Sequence, residues 1–103
     1  MFAAVDASDL NAVCFEDRDA ARAAAAAADV YLPFGGVPVG VKELTPVEGW
    51  PDTEASIPLR DGIASHTATM VERIVAAGAV LAGQSTASEV AGFNLTGTSL
   101  HAA

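Results

Sequence analysis

Val37-Pro38-Val39-Gly40-Val41-Lys42 is a short strand pattern that ends on a lysine, the one lysine in a chain of 103 residues. Side chains of an extended segment alternate between two faces. Val37, Val39 and Val41 therefore share one face, and Pro38, Gly40 and Lys42 share the other. The second face is nearly bare except at Lys42, and glycine within a strand often marks the close approach of a ligand or of another backbone. Pro38 confines the strand to a sheet edge or stands at the strand's start. Burial on such a strand disfavours an ammonium group, and a neutral amine is a proton acceptor near neutral pH. Lys42 is thus the leading candidate for chemistry. The competing reading, a solvated lysine at a strand end, is slightly favoured by local pattern alone. A genomic bias towards alanine would also make a single lysine less telling.

Upstream of this strand, residues 17–29 read as a helix. Alanine has the best helix propensity, and Asp17 or Asp19 can cap the free N–H groups. The carboxylates of 16–29 read as a solvated helix face. Leu32-Pro33-Phe34-Gly35-Gly36 is a turn. Residues 1–15 are mixed, with a short apolar patch at Asn11–Phe15. Downstream, residues 45–65 show no sustained period and are punctuated by Pro46, Gly49 and Pro51. So long a connection is unusual in a compact domain unless it is functional. Thr67 is the expected N-cap of a helix whose apolar face is Met70, Val71, Ile74 and Val75, with Gly78 as its stop. Ala79-Val80-Leu81-Ala82 reads as a buried parallel strand. Gln84 to Glu89 should form a polar loop or helix start, and Gly92 to Ala103 a loop.

The expected order is helix, strand, long loop, helix, strand. A strand–helix–strand unit with apolar strands implies a right-handed parallel crossover. Two parallel strands are too few to stand alone. The expected class is α/β: a strand–helix–strand unit of a larger mixed sheet, preceded by an Ala-rich helix. Large apolar residues are few, so the core available to this chain is thin, although apolar types make up 51% of it.

The formal net charge of -8 disfavours phosphate-rich partners, so neither nucleic acid nor anionic membrane is expected to bind. No stretch approaches the roughly 18 apolar residues of a membrane span. The start of the chain lacks the basic region and apolar core of a signal peptide, so a cytoplasmic location is expected. The single cysteine, Cys14, excludes an internal disulfide. No cysteine-based metal cluster and no cofactor are expected.

Several other constellations have a chemical and a plain reading. Gly35 to Lys42 brushes against the phosphate-loop pattern. However, Val41 separates glycine from lysine, Glu43 stands where a hydroxyl is needed, and the glycines precede the strand. The pattern is rejected. Gly83-Gln84-Ser85-Thr86-Ala87 nearly matches the nucleophile elbow, with Glu89 and His101 as acid and base. Ala87 replaces the second glycine and the chain is too short for that fold, so a polar turn is the better reading. His66 and His101 have no second ligand at metal spacing, and His66 reads as a surface residue beside the helix start. Cys14 reads as a small buried apolar residue. Trp50 is either a loop anchor on the core, the more common case, or part of a substrate wall.

Pro33-Phe34-Gly35-Gly36-Val37-Pro38-Val39-Gly40-Val41-Lys42-Glu43-Leu44, followed by Glu48-Gly49-Trp50-Pro51, resembles the amidase signature family, which carries a G-V-P-V-x-x-K-[DE] segment near its N-terminus. Ala76-Ala77-Gly78-Ala79-Val80-Leu81-Ala82-Gly83-Gln84 resembles that family's A-A-G-A-x-x-x-G-K-T stretch. Ser88-Glu89-Val90, Asn94-Leu95 and, upstream, Leu10-Asn11-Ala12-Val13 extend the likeness in order along the chain. The resemblance implies a carbon–nitrogen hydrolase acting on linear amides through a serine–cis-serine–lysine arrangement, with a small-molecule amide as substrate. Lys42 matches the family's lysine, the general base that activates the nucleophile through a bridging serine. Glu43 replaces the commoner aspartate, and Gln84 stands where many members carry lysine. The glycine- and serine-rich segment holding both catalytic serines has no match within these residues. Residues 1–103 therefore resemble the N-terminal fragment of a single amidase domain, expected to be inactive alone. The rival expectation is a noncatalytic binding or assembly module that docks on a partner chain. Its incomplete sheet would leave an apolar edge open to self-association.

Overall fold

The computed structural model describes residues 1–92 and 98–101. Its elements are α1 (Phe2–Asp6), β1 (Val13–Phe15), α2 (Arg18–Ala26), β2 (Pro38–Lys42), α3 (Thr69–Ala76) and β3 (Val80–Ser85). Short 3-10 turns lie at Ile57–Leu59 and Glu89–Ala91. The class is α/β, as expected. The sheet is three-stranded and mixed, in the order β1-β3-β2. β2 runs parallel to β3, pairing Pro38 with Val80 and Lys42 with Ser85, and β1 runs antiparallel to β3. Pro38 thus lies on an edge strand, as its missing N–H requires.

Two strand boundaries differ from expectation. The apolar patch near Cys14 is a third strand, because β1 completes the hydrogen bonding on the second edge of β3. β3 also runs on through Ser85 and does not stop at Ala82. Gln84 is a strand residue, 1% exposed, and not part of a polar loop. Its burial is tolerated because Nε2 donates to the Pro51 carbonyl at 2.9 Å, which spares the cost of an unpaired amide.

α2 falls inside the expected helix, and Asp17 is its N-cap, accepting from the Ala20 N–H. α3 begins later than expected, with Ala68 at its N-cap position. The Thr67 hydroxyl instead accepts from the Glu48 N–H, tying the long connection to the helix. Of the expected apolar face, Val71 is fully buried, whereas Met70 and Val75 remain exposed. Residues 45–65 are not a structureless connection. Gly49 N–H donates to Ala64 O, Ala64 N–H to Trp50 O and Asp52 N–H to Gly62 O, and Pro51 bridges to Ile63. These ladder bonds supply the order that no side-chain period could reveal.

The core is small. Val41, Val47 and Val71 form its buried centre, with Trp50, Ala68 and Leu81 packed around them. Trp50 also packs on Phe15, their ring centroids 5.2 Å apart, so it is a loop anchor. Two glycines hold the elements close. Gly78, at φ +103°, allows its backbone to touch Gly35, where an added Cβ would lie only 3.0 Å away. Across this contact Phe34 N–H donates to Ala77 O and Gly36 N–H to Gly78 O. A Cβ at Gly83 would lie 2.4 Å from the Phe15 carbonyl oxygen, so only glycine lets β1 close on β3 there.

Candidate functional site

Lys42 is the last residue of edge strand β2, and its register partner on β3 is Ser85. Directly paired residues of a parallel ladder share a face, so Lys42 projects beside Ser85. One step back on the same face Gly40 is paired with Gly83. An added Cβ at Gly40 would meet nothing within 4 Å. The expected open space beside the lysine is therefore present at Gly40, whereas at Gly83 the Phe15 carbonyl fills the place a Cβ would take. The expected burial is absent. Lys42 is exposed in this structure. The desolvation needed for a neutral amine is not supplied by these residues.

Glu43, the next residue, behaves in the opposite way. It is only 1% exposed. Its N–H donates to the Ser85 carbonyl, which extends the β2–β3 ladder by one bond. Its carboxylate is turned towards Cys14 of β1. There the Cys14 thiol donates to Oε2 at 2.9 Å, and His101 Nε2 lies 2.8 Å from the same oxygen. The imidazole contact meets ion-pair distance without hydrogen-bond alignment. Glu43 Oε1 has no hydrogen-bond partner among the described residues. Burial, followed by the hydrogen bond and the charge of Glu43, pushes the Cys14 thiol up to about 12. A thiol held protonated in this way is a poor nucleophile.

This cluster was not visible in the sequence. Cys14 is half-buried and hydrogen-bonded, not a buried apolar filler. His101 does meet other ligand-type side chains, although none stands near it at metal spacing in the chain. Cys14, Glu43 and His101 are separated by 29 and 58 residues, and only pairing of β1, β2 and β3 brings them together. The Asn11 amide donates to the His101 carbonyl at 2.6 Å and helps hold it there. His101 is thus engaged with Glu43, which leaves the elbow reading of Ser85 and Glu89 without its base. His66 is exposed, as expected. The Asn94-Leu95 part of the motif series lies outside the described residues.

At the other end of the sheet, Arg18 pairs with Asp6 and Glu16 and stands 4.9 Å from the Phe2 ring centroid. The Arg18 guanidinium holds the Asp6 carboxyl below its ordinary value, and the two acids hold Arg18 above its own. This network is solvent-exposed at Asp6 and partly buried at Glu16, and it joins α1 to α2.

The sequence model of the family described as Amidase matches residues 3–101. The chain belongs to the amidase family. Relatives carry the same conclusion. The chain is 41% identical to a glutamyl-tRNA(Gln) amidotransferase subunit from Acidobacterium capsulatum over 85% of its own length and 20% of the relative's. To the corresponding amidotransferase subunit from Bordetella avium it is 38% identical, over 86% and 19%. Among solved structures, 6-aminohexanoate cyclic dimer hydrolase complexed with substrate superposes with a TM-score of 0.87 at 27% identity, covering 99% of this chain and 22% of that one. A chain of a vestigial protein complex bearing on the origins of an s-triazine catabolic enzyme gives 0.78 at 34% identity, covering 85% and 21%. This amidase-family chain therefore spans about a fifth of the length of the relatives it matches, and its fold is a portion of theirs. Two of these relatives, the amidotransferase subunit and the member of a protein complex, belong to larger assemblies. Among the described residues no helix is long and apolar enough to cross a membrane.

Proposed function

We propose that residues 1–103 are the N-terminal portion of a single amidase domain that hydrolyses linear amides by a serine–cis-serine–lysine mechanism. Lys42 is its general base. The observation that carries this reading is the placement of Lys42: a lone lysine, exposed at the end of an edge strand, with open space at Gly40 two residues back on the same face. In the proposed reaction two serines from outside these residues approach Lys42 over Gly40. Their arrival removes water from the lysine and disfavours its charge. The amine then takes the proton of the bridging serine, which takes that of the nucleophile, and the acyl-enzyme forms and is hydrolysed. A small-molecule amide is the proposed substrate and the cytoplasm the proposed location.

The chain alone is then inactive, because it contributes the base without the nucleophile. In a longer polypeptide carrying the serine-rich segment, Lys42→Ala is expected to lower the amidase rate by about 10²–10⁴-fold, the usual worth of a general base. Secondary structure should not change, since the Lys42 side chain is exposed. Turnover of a simple amide by the 103-residue chain, abolished by Lys42→Ala, would overturn the proposed division of labour. Unchanged turnover in the longer Lys42→Ala protein would remove Lys42 as the base. That second outcome favours the alternative, a noncatalytic module docking on a partner chain. Its support is the run of exposed apolar side chains at Val30, Tyr31, Leu32, Phe34 and Val37, with Tyr31 95% exposed.

A further inference from the structure

The cluster on the far side of the sheet from Lys42 has no part in the proposed reaction. It consists of a thiol, a carboxylate and an imidazole, three metal-ligand types, and their ligand atoms all lie within 4.8 Å of one another. Its centre is a carboxylate whose side chain is 2% exposed, with one oxygen that no described group satisfies. An ionised carboxylate buried in this way is costly unless it is paired or holds a cation. The His101 nitrogen beside it also lacks a hydrogen-bond partner. Two buried ligand atoms without hydrogen bonds thus belong to one small cluster and come from different parts of the chain.

We propose that Cys14, Glu43 and His101 form a binding site for a divalent zinc-like cation. One sulfur, one nitrogen and one carboxylate oxygen are a donor set suited to Zn²⁺, and three protein ligands leave the fourth position to water. A tetrahedral zinc shell with bonds of roughly 2.0–2.3 Å places its ligand atoms about 3.3–3.8 Å apart, so shifts of about 1 Å convert the present cluster into one. Two pairs now stand at 2.9 and 2.8 Å, closer than a metal shell would hold them. A cation bound between them would replace the thiol's hydrogen bond by attraction to both thiolate and carboxylate, and the thiol proton would leave to solvent. Cys14 comes from β1, Glu43 follows β2, and His101 lies near the far end of the chain. The ion would therefore cross-link three separate parts of the chain. It would also fix the strand end that presents Lys42, without touching the lysine.

The test is titration of the purified chain with Co²⁺, a spectroscopic substitute for zinc. A sulfur-to-cobalt charge-transfer band saturating at one ion per chain, and displaced by Zn²⁺, is the expected result. Cys14→Ser should abolish the band. Glu43→Gln and His101→Ala should each weaken binding by more than the roughly 10–100-fold that loss of a supporting group costs. Zinc should raise the melting temperature of the parent chain, or order it if it is unfolded without metal, and should do neither for Cys14→Ser. The proposal is overturned if the parent shows neither band nor thermal shift. It is equally overturned if Glu43→Gln and His101→Ala bind as tightly as the parent, since the ion would then sit elsewhere.

Discussion

α2 and β3 lie against each other and are built on opposite terms. α2 is six alanines in nine residues, and only Ala21 is buried. Its order comes from intrinsic propensity, the Asp17 cap and the ion pairs at its start. β3 has Val80, Ala82, Gly83 and Gln84 buried and is held on both sides by neighbouring strands. A helix of this kind can be changed at most positions with little consequence, whereas almost every position of the strand is committed. The candidate site belongs to the strand's side of this division. Lys42 and Glu43 owe their placement to the ladder with β3 and nothing to the alanine helix.

Three substitutions test this contrast. Gly83→Ala should have the largest effect. The new methyl would overlap the Phe15 carbonyl, which is backbone and cannot swing aside, so β1 must separate from β3. A loss of about 3 kcal/mol in urea unfolding is expected. A stability equal to the parent's would show that β1 is not firmly docked. Val71→Ala should come next. It removes two methyl groups from the buried centre formed with Val41 and Val47, at about 2 kcal/mol. A much smaller loss would mean that this small core closes over the gap.

Asp6→Asn should have the least effect, since Asp6 is exposed and surface ion pairs are weak and screened by salt. The sign of its pH dependence is nonetheless fixed. Its carboxyl is held below the ordinary value of 3.8, first by the hydrogen bond from Arg18. Whatever it contributes is present above that value and is lost as pH falls through the lowered one. Melting curves of parent and Asp6→Asn should coincide at neutral pH in moderate salt. A clear drop in melting temperature at pH 7 would break the contrast, because the helical end would then depend on one charge pair.

Much of this was legible in advance for a simple reason. The alanine run, the valine alternation of 37–41 and the stop at Gly78 are local patterns, and local patterns report local structure. Lys42 was legible too, because one lysine on a bare strand face is unusual within the chain itself. The order of the 45–65 connection was not, since it rests on backbone bonds such as Gly49 to Ala64 that leave no side-chain signature. The extension of β3 was missed because Gln84 is polar, and its burial depends on a carbonyl 33 residues away.

By itself, then, the sequence determined the Ala-rich helix, the strand–helix–strand unit and the family, and it singled out the residue proposed as the base. Each is encoded in contiguous residues whose spacing matches a helix, a strand or a motif. Only the tertiary structure decided that Lys42 is exposed while Glu43 is buried. Successive residues of an extended segment point to opposite faces, and what packs on the sheet, not the strand's own residues, determines which face is covered. The same folding brought Cys14 and His101 to one carboxylate, an encounter that no spacing in the chain announces, because sheet pairing sets distances independently of separation along the sequence.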